Sequence, residues 1–217
     1  MRLRLGCVPD LRIARLQSVV GLLYAADPAL AIEVTHLRSA GQLDLVRAGE
    51  LDFGLVHHAG DDPTIEAAPV FAGEQLVVLL PIGHRLAGEP ALGVRDLDRE
   101  LLLVSPRAVD PGLHDRLMGA LERDGHRFAG IREIGGADVR DPLFAAAGGD
   151  GIALASRSTL TLIGELAALL VDRPLRPPLW MPDTLVAWSA DPSAQLRAIV
   201  AAARGIARDL FRLGRQA

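Results

Sequence analysis

The sequence predicts an α/β fold, and three observations carry that expectation. Over residues 3–56 strand-like runs and helix-spaced stretches alternate as strand, helix, strand, helix, strand, the pattern of a parallel sheet with covering helices. Short apolar runs, Gln75–Leu80 with only its first residue polar before Pro81 and Leu101–Val104 before Ser105-Pro106, read as buried strands. Stretches with apolar residues three and four apart, such as Leu196, Ile199, Val200 and Ala203, read as helices with one buried stripe.

Taken in order, residues 3–8 form a buried strand that stops at Pro9-Asp10, and Asp10 is placed to cap the helix after it. Leu16, Val19, Val20 and Leu23 define that helix, which ends near Asp27-Pro28. Leu11, Ile13 and Leu22 fall outside the stripe, so this helix is apolar on more than one face and predicts a second contact. Ala31–Leu37 is a strand, Leu43 and Val46 lie on a short helix closed by Gly49, and Leu51–Val56 is again a strand.

The next strand is expected from Phe71 to Leu80, and residues 82–100 are looser. Leu101–Val104 is a further strand, then Asp110-Pro111 opens a helix carrying Leu113, Leu117 and Leu121 and ending at Gly125. A strand near Phe128–Ile134 comes next. Asp138 is expected to cap a helix through Ala147, before a strand at Ile152–Ala155. Helical spacing recurs over 158–170 through Leu160, Ile163, Leu166 and Leu170. Prolines 174, 177 and 178 break the chain, Leu185–Trp188 is a last strand, and Asp191-Pro192 opens a final helix.

The 217 residues are half apolar, and 23 basic side chains, all arginine, stand against 27 acidic ones for a net charge of −4. A mildly acidic chain without a basic tract is a poor nucleic-acid binder by itself. No apolar run approaches the roughly 18 residues of a membrane span, and no export signal is visible before Pro9, so the expectation is a cytoplasmic protein without membrane contact. The single Cys7 excludes an intramolecular disulfide and any multi-cysteine zinc site.

Few motifs could carry chemistry. Gly148-Gly149-Asp150-Gly151 lies between a helix and a strand, the reverse of the order a phosphate cradle requires, so these glycines end one element and begin the next. His57-His58 near Asp61 and Asp62 is not a metal cluster, since adjacent strand residues point to opposite faces, although His57 alone faces the mouth of the sheet. No nucleophile elbow, metalloprotease helix or Cys-His pair is present. No catalytic residue, metal or cofactor is expected.

Ligands of open parallel sheets sit beyond the carboxyl ends of strands. Four such ends are visible, at Pro9-Asp10-Leu11, Ser39-Ala40-Gly41, Ser105-Pro106-Arg107 and Ala137-Asp138-Val139. Ser39 suits both a helix cap and a carboxylate donor. Arg107 and Arg12 are either partners for an anion or solvated surface arginines. Asp10 and Asp138 disfavour a doubly anionic ligand unless caps occupy them.

The run Ser39–Val56, with Gly49-Glu50-Leu51-Asp52 in it, resembles the effector-binding domain of LysR-type transcriptional regulators. Pro69-Val70-Phe71 leading to Leu76–Pro81, then His84-Arg85-Leu86-Ala87, and later Ala146–Leu154, resemble further segments of that family in the same order. The resemblance covers nearly the whole chain. It departs where the family has a proline near Ser156 and small hydroxyl residues at Asp10.

The resemblance implies a type 2 periplasmic-binding-protein-like fold of two Rossmann-like lobes with a ligand cleft between them. Lobe I would be 1–72 with 191–217, and lobe II 73–190. The candidate effector contacts at the strand ends are Asp10, Leu11, Ser39, Ala40, His57, Ser105, Arg107, Asp138 and Val139, and of these the resemblance implies Ser39 and His57 from one lobe and Ser105 and the start of the 138–147 helix from the facing one. The implied ligand is a small organic acid or related metabolite. The implied assembly is a homodimer or tetramer that touches DNA only through an N-terminal winged helix-turn-helix, which this chain lacks. A free-standing solute-binding protein, or a dehydratase-like enzyme on the same scaffold, are the competing expectations.

Overall fold

A computed structural model describes residues 2–135, 138, 140–161 and 163–214. In chain order the elements are β1 (Arg2–Cys7), α1 (Ile13–Ala26), β2 (Ala31–His36), α2 (Ser39–Arg47), β3 (Phe53–Val56), β4 (Ile65–Phe71), β5 (Leu76–Pro81) and β6 (Leu92–Gly93). They continue with β7 (Leu101–Val104), α3 (Pro111–Arg123), β8 (Gly130–Glu133), α4 (Asp141–Ala147), β9 (Ile152–Ser156), α5 (Arg157–Leu160), β10 (Leu170–Arg176), β11 (Thr184–Ser189) and α6 (Ala194–Gly214).

The chain forms two compact units, one running up to Gly73 and again from Pro182 onward, the other Glu74–Met181. The first holds a five-stranded sheet in the order β2-β1-β3-β11-β4. Strands β2, β1 and β3 run parallel, and β11 is antiparallel to both β3 and β4. Because the side chains of a strand alternate, Leu3, Leu5 and Cys7 of β1 and Phe53 and Leu55 of β3 join one core, to which α1 contributes Leu16, Val19 and Leu23 and α6 contributes Val200, Ala203 and Ala207. On the other face α2 packs Leu43 and Val46 with Val56 and Ala187.

That second face is shaped by two neighbouring glycines. Gly6 pairs in register with Gly54, and a Cβ on either would lie 2.5 or 2.9 Å from Oε1 of Gln42. Their bareness lets α2 lie close, and Gln42 donates to the carbonyls of Leu37 at 2.6 Å and Leu55 at 3.1 Å. Below it, the Asp52 carboxylate accepts the Arg4 backbone N–H at 2.7 Å and joins the start of β3 to β1.

The second unit is a six-stranded sheet in the order β6-β10-β5-β9-β7-β8. Strand β7 is parallel to β8 and β9, whereas β5 is antiparallel to β9 and β10. Both faces are covered, which is why β5 reads as an unbroken apolar run. Leu76, Val78 and Leu80 meet Leu121 of α3 in one core, and Val77 and Leu79 meet Leu143 and Ala146 of α4 in the other.

Several expectations change. The run from Phe71 to Leu80 is two strands in two sheets, β4 ending at Phe71 and β5 starting at Leu76. The second crossing between units precedes β11 and not Asp191, because β11 finds its partners in β3 and β4. Residues 158–170 are not one helix. Gly164 sits at φ 54°, so the spacing is met by α5 and a 3-10 turn at Gly164–Leu169, both on the same core. The proline-bearing stretch 170–176 is a strand, tolerated because β6 pairs only with Leu175 and Arg176 and leaves Pro174 without a ladder partner on that side. Asp110 caps α3 as expected, accepting from the Leu113 N–H at 3.2 Å. At the final helix the expected opening at Asp191-Pro192 moves to Ser193, whose Oγ accepts from Leu196 N–H at 3.3 Å.

Candidate functional site

In the first unit the chain moves from β1 to β2 on one side and then crosses to β3 on the other. The carboxyl ends of β1 and β3 therefore flank a topological switch point, the place where open α/β sheets bind ligands. Asp10 comes after β1, His57 comes after β3, and Ser39 opens α2. The three meet. Nε2 of His57 lies 3.0 and 3.1 Å from the two Asp10 oxygens, and the His57 backbone N–H donates to Ser39 Oγ at 3.1 Å.

This replaces the expected caps. Helix α1 starts only at Ile13, after a turn in which the Leu11 N–H bonds the Val8 carbonyl, so Asp10 is too far upstream to cap it. Ser39 is the first residue of α2, not its cap, and its hydroxyl serves β3 instead. Burial by itself would push the Asp10 carboxyl up. The charge and hydrogen bond of His57, helped by Arg38, outweigh it and hold Asp10 below the ordinary carboxylate value. Asp10 is thus ionised at neutral pH, and Nε2 of His57 must carry the shared proton.

Exposure divides the group. The Asp10 side chain keeps 21% of its surface, whereas His57 keeps 7%. Ser39 is fully buried and Leu11 is buried, while Ala40, Gly41 and His58 are half-buried. The first-turn N–H groups of α2 lie outside the helix ladder, whose first bond runs from Gln42 N–H to Arg38 O. Cys7 lies beneath this edge, its thiol pushed up to about 12 by burial and secondarily by the Asp10 charge.

The second unit repeats the parallel arrangement with β7 between β8 and β9, and its candidates lie after β7 and β8. Ser105 is half-buried after β7. Arg107 is committed locally, its guanidinium donating to both Asp115 oxygens at 2.7 and 2.6 Å and its backbone N–H to Glu133 at 2.9 Å. The expected helix from Asp138 starts at Asp141. Asp138 instead accepts the backbone N–H of Arg140 at 2.9 Å and grips its guanidinium. Val139 lies outside the described residues.

Three features went unread in the sequence. Gln42 is one, and its signal was a glycine at matching depth in each of two apolar strands. The second is a hydroxyl cluster where Ser156 Oγ lies 2.8 Å from Ser158 and 3.0 Å from Thr159, and Ser158 donates to Glu74 at 2.6 Å. The third is a cavity of about 460 Å³ at the opposite end of β1, lined by Arg2, Arg4, Arg47, Asp191 and Ser193. Its arginines are already paired, with Glu33, Asp52, and Asp44 and Asp62 respectively. Among the described residues no group of His, Cys, Asp and Glu side chains could hold a metal ion.

Residues 1–208 match the sequence model of the LysR substrate binding domain. The chain belongs to that family. This LysR substrate-binding domain is 35% identical over 97 residues to the Hca operon transcriptional activator HcaR of Escherichia coli, covering 45% of this chain and 32% of that protein. It is 27% identical over 162 residues to the transcriptional regulator BenM of Acinetobacter baylyi, covering 74% of this chain and 52% of BenM. The chain thus spans about half or less of the length of these relatives.

Among solved structures, the BenM effector binding domain with its effector benzoate superposes with a TM-score of 0.75 at 24% identity, covering 94% of this chain and 91% of that one. The Synechocystis CcmR regulatory domain in complex with 2-PG gives 0.72 at 18% identity, covering 97% and 99%. These likenesses establish the fold of the LysR substrate-binding domain as α/β of the type 2 periplasmic-binding-protein kind. Among the described residues no helix is long and apolar enough to cross a membrane.

Proposed function

We propose that this LysR substrate-binding domain is the effector-sensing part of a cytoplasmic transcriptional regulator that acts by ligand-biased conformation and not by catalysis. The observation that carries the reading is the junction of Asp10, His57 and Ser39 at the switch point of the first sheet. The ligand class is a small organic acid, whose carboxylate is received by the first-turn amides of α2 and the Ser39 hydroxyl. Among the described residues that hydroxyl oxygen accepts only the His57 amide, which leaves its hydrogen to donate. Leu11, Ala40 and Asp10 complete the contacts assigned to the first unit.

An effector changes the regulator only by its differential affinity for two conformations. In the whole protein that preference would reach DNA through a winged helix-turn-helix. A second copy is the assigned partner of α1, on which Ile13, Leu22 and Tyr24 are exposed. Leu22→Glu should then give a folded protein with a weakened dimer, read by ultracentrifugation.

Calorimetry of the chain against small carboxylic acids tests the reading. Binding is expected, with Ser39→Ala weakening it by about 0.5–1.5 kcal/mol, or up to about 3 kcal/mol for a charged partner. No binding to any acid would overturn it, and unchanged affinity in Ser39→Ala would remove that residue from the site.

A further inference from the structure

We propose that Asp10, fixed by His57, selects effectors that carry a hydroxyl or ammonium group a few bonds from their carboxylate, and disfavours plain acids. This selectivity rests on the effector-sensing role and names the ligand class of the same site.

Donors and acceptors decide what fits. An ionised carboxylate accepts through about four lone-pair directions and donates nothing. Asp10 receives one N–H from His57, shared between its two oxygens at 3.0 and 3.1 Å, and its own backbone N–H. Its remaining capacity lies on the more exposed member of the pair, since Asp10 keeps 21% of its side-chain surface and His57 only 7%. Across the same edge, α2 offers only donors, the first-turn amides of the half-buried Ala40 and Gly41. A ligand seated here meets an acceptor-only group and a donor-only group together.

The spacing is set by His57, which touches both. Its backbone N–H reaches Ser39 and its ring reaches Asp10, so the two groups stand one histidine apart. A compact molecule satisfies both only with its anion toward α2 and a donor toward Asp10, as in a 2-hydroxy or 2-amino acid. A plain acid offers no donor to the acceptor capacity of Asp10 that His57 leaves unused and desolvates it, or sets carboxylate against carboxylate. Asp10 is not merely a helix cap, since α1 begins three residues later without a side-chain cap.

Calorimetry of the 217-residue chain on matched series tests this, with propionate, lactate and alanine as one set and 3-phenylpropionate, 3-phenyllactate and phenylalanine as the other. The hydroxy or amino member is expected to bind about tenfold or more tighter than its plain acid. Asp10→Ser should erase that ratio. Should Asp10→Ser fail to fold, because it leaves His57 buried without its carboxylate, the pair Asp10→Ser with His57→Gln serves instead. Hydroxyl and ammonium arms report which donor the site takes. Plain acids binding as well as their derivatives, or a preference that survives loss of Asp10, would overturn the inference and leave effector sensing intact. Absence of binding to every member would overturn both.

Discussion

Asp52 holds Arg4 at three points. Its carboxylate accepts the Arg4 backbone N–H at 2.7 Å, Nη2 at 2.7 Å and Nε at 3.2 Å. The carboxylate is buried while the guanidinium is partly solvated, so the backbone bond carries most of the stabilisation. Asp52→Ala is expected to cost about 1.5–3 kcal/mol in urea unfolding. Arg4→Met, which keeps the backbone bond, should cost clearly less.

Gly6 is bare because α2 lies over it. A Cβ there would stand 2.5 Å from Gln42 Oε1 and 2.6 Å from Leu51 Cδ2, so Gly6→Ala should destabilise by about 1–3 kcal/mol. Gly21, inside α1 with nothing within 4 Å of such a Cβ, is the contrast. Gly21→Ala should raise stability by about 0.4–1 kcal/mol, and thermal unfolding of the two variants checks both signs.

Acid should remove the contribution of Asp10 to stability. Its folded-state pKa lies below the ordinary carboxylate value, so the unfolded chain binds the proton first. The stabilisation is complete above the unfolded value of about 3.9 and is lost as pH falls through the folded value. Stability measured from neutrality downward should show a smaller acid loss in Asp10→Asn than in the parent chain.

The Cys7 thiol is buried, donates to the Val8 carbonyl at 3.4 Å and has its pKa pushed up to about 12. Alkylation at pH 8 should therefore run at least about a hundredfold slower in the native chain than in the urea-unfolded one. Equal rates would place the thiol at the surface.

His126 is buried, and among the described residues neither of its ring nitrogens has a hydrogen-bond partner. An unsatisfied buried polar group is destabilising, whereas an apolar side chain of similar volume is not. His126→Leu should leave the melting temperature unchanged or raise it, and a large fall would reveal a hidden partner.

Much of the fold was legible because period and punctuation are local. The full apolar run of β5, the Asp110-Pro111 start of α3 and the Leu16, Val19, Leu23 stripe of α1 each depend on neighbouring residues alone. The family too was legible, from the order of Ser39–Val56, the Leu76–Leu86 segment and Ala146–Leu154.

Pairing was decided only by the tertiary structure. No local rule separates β4 from β5, since what divides Phe71 from Leu76 is the sheet that each strand joins. Asp10 and Ser39 look like caps in the sequence because caps are the local use of such residues. They are diverted because β1 and β3 lie side by side, which brings His57, remote in sequence from both, within hydrogen-bond reach. Apolar periodicity is a property of a segment, but the partner of a polar side chain is a property of the whole fold.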